Sequence, residues 1–181
     1  AAFVKSADII ANSAFTAVGQ RRVNPRGVPI HVVHPGTRLS DEPHAERRAR
    51  ARLALGIGDD EFAVGIAARL QPWKGQDVVI RAAASLLHAR HHARLFVIGD
   101  AMFGLDRDYA ASLPVLANEL AVADRVTMTG FRTDVLDVLT GLDLAIHAST
   151  TPEPFGLGLI EAMAAGTALI AYHRSAIDAA L

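Results

Sequence analysis

The chain has 181 residues, 51% apolar and 20% charged, with a formal net charge of -1; this is the balance of a folded globular protein with one good core and at most a part of a second. The near-neutral charge excludes a global basic field for nucleic acid or a membrane surface, and the complete lack of cysteine excludes a disulfide framework and any thiolate metal site. No apolar run approaches the ~20 residues of a membrane span, and Ala1 to Ser6 lack the layout of a signal peptide; together with the missing cysteines this fits a cytoplasmic protein, and the lack of an initial methionine leads to the expectation of a chain that begins inside a longer one.

Residues 7–13 form a short apolar run ending in the cap formers Asn12 and Ser13, and 14–22 follows with helical spacing. Pro25 to Gly27 predicts a turn, and 30–34 reads as a strand stopped by Pro35-Gly36. The polar stretch 37–43 is the best linker in the chain. Residues 45–55 predict a helix closed by Gly56, on which Arg47, Arg48, Arg50 and Arg52 spread around the cylinder; that reads as a solvated face used with Glu46, not as a nucleic-acid patch. Strands and helices then alternate: strand 62–68, helix 77–91, strand 94–98, helix 109–121 kinked or shortened by Pro114, strand 125–129, short helix 135–140, strand 142–148, an apolar helix after Phe155, and strand 167–171. Unbroken apolar strands alternating with helices predict a doubly wound α/β fold of Rossmann type, a parallel sheet covered on both faces. Ligands of such sheets sit at the carboxyl ends of the strands, here just after Ala68, Ile98, Thr129 and Ala148.

After Ala68, Arg69 and Lys74 flank a loop that runs into a helix N-terminus, where free amides and the helix dipole favour an anion. This reads as a clamp on a phosphate or diphosphate; the alternative is two solvated charges with Asp77 capping the helix. It is not a Walker loop, because the glycine spacing before Lys74 is wrong and no Ser or Thr follows it. After Ile98 comes the tight turn Gly99-Asp100. After Thr129, Phe131 is placed to stack on a base and Arg132 to reach a phosphate, against the alternative of a turn capped by Asp134. After Ala148, the amides of Phe155, Gly156 and Leu157 begin a helix, Glu153 precedes it, and Glu161 stands two turns inside it. A carboxylate within an apolar helix costs on the order of several kcal/mol unless satisfied. Glu161 therefore suits the vicinal hydroxyls of a ribose or sugar, or else a buried pair with an arginine such as Arg69; Glu153 either faces the crevice or simply complements the dipole. Two cations, two carboxylates and a helix N-terminus describe a nucleotide-sugar pocket that needs no metal, the cations supplying the charge for a departing diphosphate.

With these residues assembled, the chain resembles the donor-binding half of GT-B glycosyltransferases, in particular the retaining class of family-4 type. The resemblance runs from about Gly65 to Ala171 and rests on Ala68-Arg69-Leu70 to Lys74-Gly75, Val97 to Asp100, Asp124 to Gly130, Asp143 to Ser149, and Glu153-Pro154-Phe155-Gly156 to Glu161-Ala162-Met163-Ala164, the last carrying a Glu-x7-Glu signature. It implies that Arg69 and Lys74 hold the donor diphosphate and stabilise the leaving group, that Glu153 binds hydroxyls of the transferred sugar with help from the amides of Phe155 to Leu157, that Glu161 binds the ribose, and that Phe131 and Arg132 lie by the base. Transfer from the nucleotide-sugar donor would proceed with retention and without a metal or other cofactor.

The sequence departs from the family in having Ala68 in place of a glycine and a short alanine-rich end after Tyr172-His173-Arg174-Ser175. The resemblance makes residues 1–36 the last piece of an absent acceptor-binding domain and 37–181 the donor domain, truncated at its end; any peripheral membrane contact would come through the absent domain. An epimerase half would require an acid/base set that the sequence lacks, and a non-catalytic nucleotide-sugar-binding module is the remaining alternative. Of the eight histidines, His88 and His92 have metal spacing but no acid joins them, and His147 reads as a satisfied core residue.

Overall fold

The computed structural model describes residues 8–24 and 27–172. Most of the turn expected at 25–27, the N-terminal residues 1–7 and the divergent end from 173 onward lie outside the described residues.

The chain opens with β1 (Ile9–Ala11), α1 (Ala14–Arg22) and β2 (Ile30–Val32). The two strands pair in parallel as a small sheet of their own, Ile9 opposite Ile30. Ser13 caps α1 by accepting from the Thr16 amide at 3.0 Å. An extended segment leads to α2 (His44–Leu55), which Gly56 ends in the left-handed conformation.

The second sheet is built from β3 (Phe62–Ala67), β4 (Ala93–Ile98), β5 (Val126–Gly130), β6 (Leu144–His147) and β7 (Ala168–Ala171), connected by α3 (Gln76–Ala89), α4 (Arg107–Glu119), α5 (Val135–Gly141) and α6 (Leu157–Ala164). All its pairings are parallel, in the order β5-β4-β3-β6-β7, which is the doubly wound α/β architecture. Side chains alternate between faces along a strand. Leu95 and Val97 therefore enter one core with Val64, Ile80 and Leu113, while Phe96 and Ile98 enter the other with Ala63, Leu139 and Leu142. Burial on both faces explains why the strands read as continuous apolar runs. Helix α4 begins before Pro114 and continues through it; Tyr109 on α4 donates to Asp77 Oδ1 at 2.9 Å and ties α4 to α3.

The arginines of α2 do not form the solvated face that their spacing suggests. Arg47 and Arg52 are buried, and only Arg50 makes an exposed pair, with Glu42. Arg48 donates to Asp143 Oδ1 at 2.6 Å and to the Leu142 carbonyl at 2.7 Å. Arg52 reaches Asp143 Oδ2 at 3.3 Å and the carbonyls of Gly58 and Glu61 at 2.5 and 2.8 Å. Asp143 Oδ2 also accepts from the Ala63 amide at 2.7 Å. Arg48 and Arg52 turn inward because the start of β6 presents a carboxylate and several carbonyls that their guanidinium donors satisfy, and Arg47 pairs with Asp137 at 3.3 Å.

Asp143 thus joins α2, β3 and β6. Asp143→Ala should lower stability by about 2–3 kcal/mol, since it leaves two guanidinium groups without their carboxylate and the Ala63 amide without its acceptor. Urea denaturation measures this; a change below about 0.5 kcal/mol, the range of neutral surface substitutions, would show that the network does not hold α2 in place.

Candidate functional site

The order of the large sheet reverses between β3 and β6, the point at which loops diverge and a crevice opens in doubly wound folds. After β3 the chain passes Arg69 and a 3-10 turn at Pro72–Lys74, and Gly75 (φ 74°) starts α3. The buried Gln76 side chain anchors this loop by donating to the Arg69 carbonyl at 2.8 Å. The loop after β6 is stitched to it where the Thr150 amide donates to the Trp73 carbonyl at 2.8 Å. A Cβ on Gly75 would lie 2.4 Å from the Ala148 carbonyl oxygen, so only glycine permits this approach.

The two loops enclose a cavity of about 270 Å³ lined by Arg69, Lys74, His147, Ser149, Glu153 and Glu161, among others. An adjoining hollow of about 580 Å³ shares Arg69, Lys74, Glu153 and Leu157 and is bounded also by Asn12, Phe155 and Gly156. No acceptor for the amides of Phe155, Gly156 or Leu157 is found among the described residues, and Gly156 stands at the start of α6. These free donors and the positive end of the helix face the same space as Arg69 and Lys74.

Glu153 is only 4% exposed. Lys74 Nζ and Ser149 Oγ both donate to its Oε1. His147 Nε2 lies 3.0 Å from that same oxygen, the length of an ion pair, yet neither ring nitrogen has a well-aligned hydrogen-bond partner. Burial pushes the Glu153 carboxyl up, but the contacts from His147, Lys74 and Ser149 and the charge of Lys74 outweigh it and hold the pKa down at about 2. Lys74 also rests over the Trp73 ring at 4.2 Å. His147 is therefore no satisfied core histidine: it ends β6 at the cavity wall with its ring nitrogens unmet.

Glu161 contrasts with Glu153. It lies one turn into α6, half-buried, and no cation pairs with it among the described residues; the pair with Arg69 that its burial suggests does not form. Burial raises its pKa with nothing to offset the shift. Helix α6 buries only Leu159 and Ala162 and exposes Met163, so it is not apolar and closed on every side. Arg69 is exposed, and no carboxylate meets it among the described residues.

Three further candidates stand apart from the cavity. Gly99 (φ 139°) serves the backbone: a Cβ there would lie 2.0 Å from the Ala68 carbonyl oxygen, and its amide donates to the Gly130 carbonyl at 3.0 Å. Phe131 is exposed. Arg132 is held in a fork by Asp134, at 2.8 and 2.5 Å, so the Asp134 carboxylate serves Arg132 and not the helix start. Asp77 likewise caps nothing; its carboxylate accepts from Tyr109. His88 and His92 do not share a helix face, since α3 ends at Ala89, and His92 instead pairs with Asp60 at 3.1 Å.

The family model described as "Glycosyl transferases group 1" matches residues 47–179. The D-inositol 3-phosphate glycosyltransferase of Mycobacterium ulcerans (strain Agy99) is 37% identical over 144 residues, which are 78% of this chain and 30% of that protein. The crystal structure of Anabaena Alr3699/HepE in complex with UDP and glucose is similar with a TM-score of 0.82 at 31% identity, over 96% of this chain and 46% of that one. The C-terminal domain of a glycosyl transferase group 1 family protein (LpcC) from Francisella tularensis is similar with a TM-score of 0.62 at 26% identity, over 74% of this chain and 66% of that one. The chain thus spans about 30% of the length of such curated relatives.

The two carboxylates should respond oppositely to neutralisation. Glu153 has a folded pKa of about 2 against an ordinary 4.5, so its stabilisation is present above pH 4.5 and lost as pH falls toward 2. Glu153→Gln should lower stability at neutral pH by about 3 kcal/mol and flatten the acid limb of the stability profile. The Glu161 pKa is raised, so its charge opposes folding at neutral pH and the penalty fades as pH falls; Glu161→Gln should raise stability at neutral pH. Chemical denaturation across the acid range reads both; equal effects in the same direction would contradict the assignment.

Proposed function

This chain belongs to the group 1 glycosyl transferases, and we propose that its crevice binds a nucleoside diphosphate sugar for transfer of the sugar with retention of anomeric configuration. The observation that carries this is the convergence of Arg69, Lys74, Glu153 and Glu161 on one cavity at the reversal of strand order. The likeness to Alr3699/HepE, solved with UDP and glucose, supports the donor class.

In this reading the diphosphate lies against Arg69, Lys74 and the amides that open α6. Negative charge grows on the diphosphate as the bond to the sugar breaks, and fixed cations and dipoles in a sheltered crevice stabilise that charge more than water does. The leaving group is met by these side chains, and the reaction needs no metal. Glu153, with one oxygen held by Ser149 and flanked by His147, offers the other to a sugar hydroxyl. Glu161, without a cation beside it among the described residues, accepts from the ribose hydroxyls and recovers on binding what burial costs it. Phe131 and Arg132 border the base, Arg132 after release from Asp134.

Residues 1–36 belong, on this proposal, to an acceptor-binding domain, and 37–181 form the donor domain; the likeness to the C-terminal domain of LpcC supports the division. Acceptor choice and any contact with a membrane surface then reside outside this chain. No helix of the described residues is long and apolar enough to cross a membrane, and we place the enzyme in the cytoplasm.

Calorimetric titration with UDP-, GDP- and ADP-glucose tests the donor site. One of them should bind, and Arg69→Ala and Lys74→Ala should each weaken it about 10- to 100-fold, the range for a lost charge-assisted contact of ~1.5–3 kcal/mol. Glu161→Gln should erase any preference for the ribose over the deoxyribose donor. Failure of all three to bind, or binding indifferent to both cations, would refute the donor site; sugar transfer by this chain alone would refute the need for an acceptor domain.

A further inference from the structure

We propose that His147 is a positioning residue that takes up a proton as the donor enters, replacing Lys74 as the counter-charge of Glu153. The inference rests on the donor-binding reading above and adds to it a coupling between ligand and proton.

Two donors, Lys74 and Ser149, converge on one oxygen of Glu153 with His147 Nε2 beside them, and Lys74 is among the two cations that a diphosphate would need. Before the donor arrives, Lys74 is neutralised by Glu153, so the crevice offers Arg69 as its one cation without a carboxylate among the described residues. The diphosphate of a nucleotide sugar carries two negative charges. When Lys74 turns toward them, Glu153 loses its cation while remaining 4% exposed, and a buried carboxylate without a counter-charge is strongly unfavourable. His147 Nε2 already stands 3.0 Å from the same oxygen. A neutral imidazole can donate from only one nitrogen, whereas the cation donates from both, and imidazole is the side chain that changes charge near neutral pH. Both of its nitrogens are buried and lack an aligned partner, so among the described residues no other hydrogen bond holds the ring away from Glu153.

The surrounding charges favour this hand-over. His147 shares the cavity with Arg69 and Lys74 from the loop after β3, Glu153 from its own loop and Glu161 from α6; β3 contributes only apolar groups there, and β7 is joined through the Tyr172 amide, which donates to the His147 carbonyl at 3.0 Å. Once both cations are held by phosphate, the two carboxylates are what His147 faces. One proton moves from solvent to the ring, and no covalent bond changes.

UDP-glucose is the probe, since each of its phosphates carries one charge and neither titrates near neutral pH. Calorimetry at neutral pH in two buffers of unequal ionisation enthalpy should show uptake of up to one proton per site, with affinity falling as pH rises, toward the tenfold per pH unit of a fully linked proton. His147→Asn should abolish the buffer dependence and weaken binding about tenfold, one unit of differential interaction between the protonation states. Lys74→Gln should abolish the buffer dependence too, because Glu153 then relies on His147 before the donor binds. The wild-type measurements and Lys74→Gln decide the matter even if His147→Asn does not fold. Binding without buffer dependence, or buffer dependence that survives either substitution, would overturn the proposal and leave the donor site intact; no binding of UDP-glucose by the wild type would overturn both.

Discussion

The rest of the structure depends on the seam between β3 and β6. Only Val64 and Gly65 of β3 pair with β6, opposite Leu144 and Ala145, yet this is where the sheet order reverses and the crevice opens. So short a ladder needs closure at both ends. At its start, Asp143 grips the Ala63 amide through its side chain while its own amide donates to the Ala63 carbonyl at 2.8 Å. At its finish, the Thr150 amide, the space left by Gly75 and the Lys74–Glu153 pair hold the two departing loops together. The first closure is structural. The second consists partly of the groups assigned to the ligand, so seating the donor and holding the sheet together draw on the same contacts.

Much of this was legible in the amino-acid sequence, and the exceptions have physical reasons. Strands buried on both faces carry a strong apolar signal, and their alternation with helices leads directly to a parallel sheet and its carboxyl-end crevice. Arg69, Lys74, Glu153 and Glu161 could be placed there because each follows a strand end or opens a helix. The arginines of α2 misled because helical spacing describes a helix in isolation, where charge points to water; what turned Arg48 and Arg52 inward is Asp143, which is 23% exposed and lies far along the chain, and Arg47 pairs instead with Asp137. A signal did exist: four arginines accompanied by a single acid within α2 leave an excess that acids elsewhere must balance. His147 was missed for a narrower reason. The strand-end rule draws attention to the residue after the strand, while His147 is the last residue within it, on the face that α6 covers.

Gly99, Phe131 and Arg132 stand away from the seam. Each follows a strand end, yet none lines the cavity. Proximity to a carboxyl end is shared by every loop on that edge of a sheet, whereas the loops that line this cavity are those flanking the reversal. Gly99 lies after β4 and Phe131 after β5, both on one side of that point. The Gly99 position is set by the Ala68 carbonyl, a backbone neighbour that leaves no trace in the local sequence.

The distribution of unsatisfied groups separates scaffold from site more sharply than sequence position does. Around Asp143 the charges are paired and the carbonyls taken up by guanidinium groups, the arrangement that lowers the energy of the unliganded chain. Around the crevice the arrangement is reversed: Glu161 is desolvated without a cation, both nitrogens of His147 are buried without aligned partners, and the amides before α6 lack acceptors among the described residues. The free amides that open α6 and the Glu161 carboxylate one turn further along the same helix form no hydrogen bond with each other among the described residues. A molecule bearing anionic oxygens at one point and hydroxyls at another relieves both at once, whereas a simple anion would relieve only the donors. Local conflict gathered at one place in an otherwise consistent fold is the mark of a functional site; the donor proposed above, with its anionic diphosphate and its hydroxyls, would relieve it.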